Sequence, residues 1–139
     1  MAELERFGVS MERELLARFD ELIGVRGYAS RSEAIRDLVR KELVSDRWSD
    51  PDADVIATVS IVYGHHEHHL ADTLAELQHR HHASIVSSTH VHLDPHNCLE
   101  VVIVRGASAT VKRIADALVV TRGVKHGGVV ATTTGALLP

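Results

Sequence analysis

Four residues in the middle of the chain, His79, His90, His92 and Cys98, carry its clearest chemistry. The protein has eleven histidines but a single cysteine, and that thiol follows closely on a His-Val-His triplet. Three imidazoles and a thiolate make a complete nitrogen–sulfur ligand set for a borderline divalent metal. Two histidines spaced by two lie on one face of a strand. The turn-forming string Asp94-Pro95-His96-Asn97 would return the chain so that Cys98, on the adjacent strand, could reach that face. Taken singly, each residue has a plainer reading. A histidine is more often exposed or hydrogen-bonded than a ligand, and a lone thiol packs as a small hydrophobe. The joint pattern is what points to metal, whereas His81 and His82 read as solvated residues at a helix end.

These residues need a scaffold, and composition bounds it. Of 139 residues, 45% are apolar and 24% charged, which fits a soluble globular protein built as one ordinary domain or two small ones. Aromatic residues are only 4%, so the core must come from Val, Leu, Ile and Ala. No apolar run approaches the roughly 20 residues that span a bilayer, so no membrane partner is expected. The N-terminus lacks a charged-then-apolar leader. One cysteine allows no intramolecular disulfide and favours a reducing, cytoplasmic setting. The net charge of −4 means that nucleic-acid binding would need a local basic surface.

Along the chain, Phe7, Val9 and Met11 alternate with Arg6, Gly8 and Ser10, the period of a short strand with one buried face. Leu15, Leu16, Phe19, Leu22 and Ile23 recur at helical spacing up to Gly24 or Gly27. Ser30-Arg31-Ser32-Glu33 resembles a capping box opening a second helix, with Ala34, Ile35, Leu38, Val39 and Leu43 on one face. One strand and two helices bury too little alone, which predicts an obligate dimer whose two strands pair into a ribbon. Residues 45–54 lack an apolar period and read as a linker. Beyond it, residues 55–63 predict a strand, 66–81 a helix, 85–93 and 99–104 two strands, Val111 to Val119 a helix stopped at Gly123, and 129–134 a last strand. The order βαββαβ is the ferredoxin-like one, with both helices on one face of an antiparallel sheet. The expected class is therefore α+β.

Four strings, Arg26 to Asp37, Gln78-His79-Arg80-His81-His82 with His90-Val91-His92, Cys98-Leu99-Glu100 and Arg122-Gly123-Val124, together resemble the nickel-responsive transcriptional regulators (the NikR family). The likeness covers almost the whole chain. It implies a ribbon-helix-helix DNA-binding and dimerisation domain (residues 1–47) and a ferredoxin-like, ACT-like nickel-binding and tetramerisation domain (54–139). By this resemblance Ni(II) is held by His79 of one subunit with His90, His92 and Cys98 of a neighbour, in a homotetramer that is a dimer of dimers. A thiolate with three neutral imidazoles supplies the strong field that a planar Ni(II) wants. Family members use the position of His65, and some that of His66, for auxiliary metal sites; a solvated patch is the other reading of this histidine-rich segment. Where many members carry basic residues that touch the DNA backbone, this chain has Glu67 and His68. The resemblance also gives Glu33 and Asp37 a cation, such as K(+), shared with carbonyls near Val119, Thr121 and Val124. A solvated acidic face paired with Arg36 or Arg40 is the alternative.

In a ribbon-helix-helix dimer, Arg6, Gly8 and Ser10 face the major groove. Arg6 can bond guanine bidentately, and Gly8 offers no side chain where relatives place a polar one. Ser30 and Arg31 open a helix whose free N–H groups suit a phosphate. Residues 1–47 hold nine Lys and Arg against ten Asp and Glu, net −1, so little DNA affinity is expected without metal. The expected function is a nickel-dependent repressor that binds operator DNA when Ni(II) is bound, and not an enzyme. The rivals are a zinc or copper sensor of the same fold, a nickel-storage or chaperone protein, and a small-molecule ACT-type regulator, which would not need Cys98.

Overall fold

The computed structural model describes residues 3–139, with His68 described by its backbone alone. The chain forms two compact units, residues 1–43 with 137–139, and residues 44–136.

In the first unit, residues 3–12 belong to no helix or strand and are exposed throughout, Phe7 by 75% and Val9 by 65%. The strand predicted by the alternation of Phe7, Val9 and Met11 does not form in the single chain. A strand's N–H and C=O groups must be paired by a neighbour, and no described segment of this chain pairs with it. Helix α1 (Arg13–Val25) ends where Gly27 takes a φ of 81° and Tyr28 N–H donates to the Ile23 carbonyl at 3.0 Å. That left-handed stop needs glycine. Helix α2 (Arg31–Ser49) opens on the predicted cap: Ser30 Oγ accepts Glu33 N–H at 3.2 Å, and Glu33 Oε2 accepts Ala29 N–H at 3.3 Å.

Helix α2 corrects the linker reading of residues 45–54, because residues 45–49 are its last turn. Nothing before Pro51 breaks a helix, and burial of Trp48 outweighs the polar composition around it. The indole is 9% exposed and donates from Nε1 to the Thr132 carbonyl at 2.8 Å. The Trp48 carbonyl in turn accepts from Ser108 Oγ at 2.6 Å and Lys112 Nζ at 2.9 Å, so the helix end is satisfied.

The second unit runs β1 (Asp54–Gly64), α3 (His68–Arg80), β2 (Ile85–His92), β3 (Asn97–Ala107), α4 (Ser108–Val120) and β4 (Val124–Thr132). The strands form one antiparallel sheet in the order β2-β3-β1-β4, the ferredoxin-like topology. Val55, Ala57, Val59, Ile61 and Tyr63 alternate into the core, opposite Cys98, Glu100, Val102 and Val104 of β3. Leu70 and Leu74 of α3 and Val111, Ile114, Ala115 and Leu118 of α4 cover that face. Each large aliphatic side chain so buried stabilises by about 1.5–3 kcal/mol. Strand β4 begins five residues before the predicted 129, because Lys125-His126-Gly127-Gly128 pair with β1 through main chain alone. Glycine at 127 is needed there: a Cβ would meet both Val119 methyl groups at 2.9 Å.

Candidate metal centre

Strand register assembles the site. His92 lies opposite Cys98, His90 opposite Glu100, and Tyr63 opposite Cys98 from the other side, so all five share the core-facing side of the sheet. Strand β2 is an edge strand, and its histidines stay exposed while Cys98 is fully buried. Asp94 locks the connecting turn, its Oδ1 accepting the N–H groups of His96 at 2.7 Å and Asn97 at 2.8 Å. The same turn holds the end of β1, because His65 N–H donates to the His96 carbonyl at 2.7 Å.

The result is a four-donor cluster. One ligand atom from each of His65, His90, His92 and Cys98 lies within 4.8 Å of every other. Cys98 Sγ stands 3.1 Å from His65 Nδ1 and 3.7 Å from His92 Nδ1. The His65 and His92 rings meet edge-on with centroids 4.6 Å apart, and His90 and His92 are 5.1 Å apart. Three nitrogens and one sulfur, with no carboxylate among them, suit nickel, copper or zinc and not a hard ion such as calcium or magnesium.

Behind the ligands lies a buried carboxylate. Glu100 Oε1 accepts from Gln78 Nε2 at 3.1 Å and Ser88 Oγ at 2.9 Å, and Oε2 accepts from Tyr63 O–H at 3.3 Å. The Tyr63 oxygen is also 3.4 Å from His90 Nδ1. Burial, then the Glu100 charge, raise the Tyr63 pKa well above the ordinary 10.0, so this phenol remains a donor. Imidazole, phenol and carboxylate thus form a relay that can keep a proton on His90 Nδ1 and leave its other nitrogen for a metal.

Of the residues singled out from sequence, the fold brings His90, His92 and Cys98 together, and His65 with them. His79 stands elsewhere in the single chain, exposed in the last turn of α3 with its ring 6.1 Å from that of His82. His66 adjoins His65 and His96, at ring distances of 5.4 and 5.6 Å, outside the four-donor group. Tyr63 and Glu100 were missed, although a readable signal exists: Glu100 follows Cys98 by two and so shares its face. In the first unit, Arg6, Gly8 and Ser10 lie in the exposed segment, and Ser30 caps α2. Arg31 is engaged by Asp20 through two hydrogen bonds of 2.8 and 2.7 Å. Glu33 accepts Ala29 N–H, while Asp37 accepts Tyr28 O–H at 2.7 Å and faces Arg40 at 3.7 Å.

Comparison with known proteins gives concordant matches for both units. The profile of the NikR C terminal nickel binding domain matches residues 56–132, and that of the copG family of ribbon-helix-helix proteins matches residues 5–44. A protein of Solibacter usitatus named as a nickel-responsive regulator is 54% identical over 136 residues, 98% of each chain. Proteins of the same name from Geobacter sulfurreducens and Nitratidesulfovibrio vulgaris are 54% and 50% identical over 135 residues, 97% of each chain.

Proposed function

The chain belongs to the family of nickel-responsive regulators, and from that premise we propose that it represses transcription by binding operator DNA when Ni(II) is bound. The observation that carries this reading is the register that sets His90 and His92 beside a buried Cys98. Those three residues would hold the ion together with His79 of a partner subunit, in a homotetramer made of two dimers. A bound ion would supply a rigid cross-link between subunits. His79 is exposed and outside the four-donor cluster of its own chain, which suits a ligand donated outward.

On the DNA side, residues 1–47 act as the reading and dimerising domain, and 54–139 as the sensing domain. The exposed Phe7, Val9 and Met11 support this, since pairing with the same segment of a second copy would bury them. Arg6 and Ser10 would then read base edges beside Gly8, with Ser30 and Arg31 toward phosphate. Nickel shifts the population only as far as it binds the DNA-competent assembly more tightly than the incompetent one. Glu33 and Asp37 are proposed to take a potassium ion that stabilises the bound form. Four donors closing on one ion leave no open position for a substrate, which supports a regulator over an enzyme. The setting is cytoplasmic.

A mobility-shift titration on the gene's own promoter, with Ni(II), Zn(II), Cu(II) or no metal, tests the proposal. Ni(II) should produce the tightest complex, and Arg6→Ala should weaken it more than tenfold while leaving nickel binding intact. The tenfold follows because a bidentate arginine–guanine contact contributes about 1–3 kcal/mol and each ribbon carries two copies of Arg6. A shift indifferent to metal would remove the sensor reading, and an unaffected Arg6→Ala the ribbon reading.

A further inference from the structure

We propose that the protein has two alternative fourth ligands, His65 within each chain and His79 of a partner subunit, so that a single subunit binds Ni(II) before assembly and assembly replaces His65. This rests on the nickel reading above. Its basis is that His65, His90, His92 and Cys98 already form a four-donor set in one chain, with every ligand atom within 4.8 Å of the others. Metal–nitrogen and metal–sulfur bonds of about 2.0–2.3 Å place donors on opposite sides of an ion about 4–4.6 Å apart. Small side-chain rotations therefore suffice to close this set around one ion. His65 is the member nearest Cys98, with Nδ1 3.1 Å from Sγ.

The position of His65 makes its replacement consequential. It lies in the short segment between the end of β1 at Gly64 and the start of α3 at His68. Its N–H is anchored on the His96 carbonyl, so the main chain holds the imidazole over the site without help from a second subunit. His79 sits at the other end of the same helix. The two imidazoles are chemically equivalent, so intrinsic donor strength does not choose between them. The choice falls to local concentration: His65 is always present, whereas His79 of the partner subunit arrives only when subunits meet. Displacing His65 releases the segment that leads into α3 while that helix's far end binds across the interface. Loading and assembly are thereby linked as two states of one site.

The experiment titrates NiCl2 into full-length parent, His79→Ala, His65→Ala and the double variant, following the thiolate-to-nickel absorption band against a competing chelator. Both histidines are exposed, so neither substitution should disturb the core. His79→Ala should still bind one nickel per chain with a thiolate band. Losing a residue that merely orients a ligand costs roughly 10- to 100-fold in affinity, so removing His65 as well should weaken His79→Ala by about 100-fold or more. His65→Ala alone should retain the high affinity of the assembled protein. If His79→Ala binds no better than the double variant, there is no site within the chain and the inference fails while the nickel reading stands. A parent that develops no band overturns the nickel reading itself.

Discussion

Replacing Glu100 with glutamine tests the relay behind the metal ligands. The carboxylate is 9% exposed and accepts three hydrogen bonds, from Gln78, Ser88 and Tyr63. Glutamine keeps the shape but exchanges one acceptor oxygen for an NH2 group. If its oxygen retains Gln78 and Ser88, the NH2 group faces Tyr63, whose hydroxyl must then accept instead of donate. The phenolic proton turns toward His90 Nδ1, 3.4 Å away, and the imidazole changes tautomer, placing its own proton on the nitrogen the metal needs. Changing charge-assisted bonds to neutral ones should cost about 1–2 kcal/mol of folding stability. Nickel affinity should fall about 10- to 100-fold, or about 1.4–2.7 kcal/mol. Urea unfolding measures the first quantity and chelator competition on the thiolate band the second. Tyr63→Phe should reproduce the affinity loss by removing the same relay. A folded Glu100→Gln protein that binds nickel as tightly as the parent would refute the argument.

Three further outcomes follow from packing and charge. Gly127→Ala should destabilise by about 1–3 kcal/mol, because its Cβ would lie 2.9 Å from two Val119 methyl carbons, whereas Gly128→Ala meets nothing within 4 Å and should be near neutral; thermal melts compare them. Trp48→Ala should cost about 3–5 kcal/mol in urea unfolding, since it empties a buried indole site and leaves the Thr132 carbonyl without its donor. Asp54 has its pKa lowered from 3.8, chiefly by the hydrogen bond from Arg105. Its stabilising effect is therefore present above the unfolded value and lost as pH falls through the lower folded one. Asp54→Asn should be less stable than the parent at neutral pH and converge with it in acid; the gap should be small and shrink with salt, because the pair is exposed.

Local pattern carried much of this protein. The cap at Ser30 and the left-handed stop at Gly27 depend on side chains within a few residues, so both were legible. So was the βαββαβ order, which follows from alternating and helical apolar periods. His90 and His92 share a face by parity alone, whatever the strand pairs with. Tertiary structure decided what depends on distant partners. The register of β2 on β3 sets His92 opposite Cys98, and the His96 carbonyl brings His65 in as the fourth donor. The buried Glu100 relay joins β1, α3, β2 and β3 through residues up to 37 positions apart. Trp48 turns a polar stretch into the end of a helix because its indole meets a carbonyl 84 residues later. The strand expected at Phe7, Val9 and Met11 belongs to neither category, since its main-chain hydrogen bonds need a second molecule. A chain encodes the pairing preferences of each segment locally, but which donor meets which acceptor is settled only when the sheet and the core close.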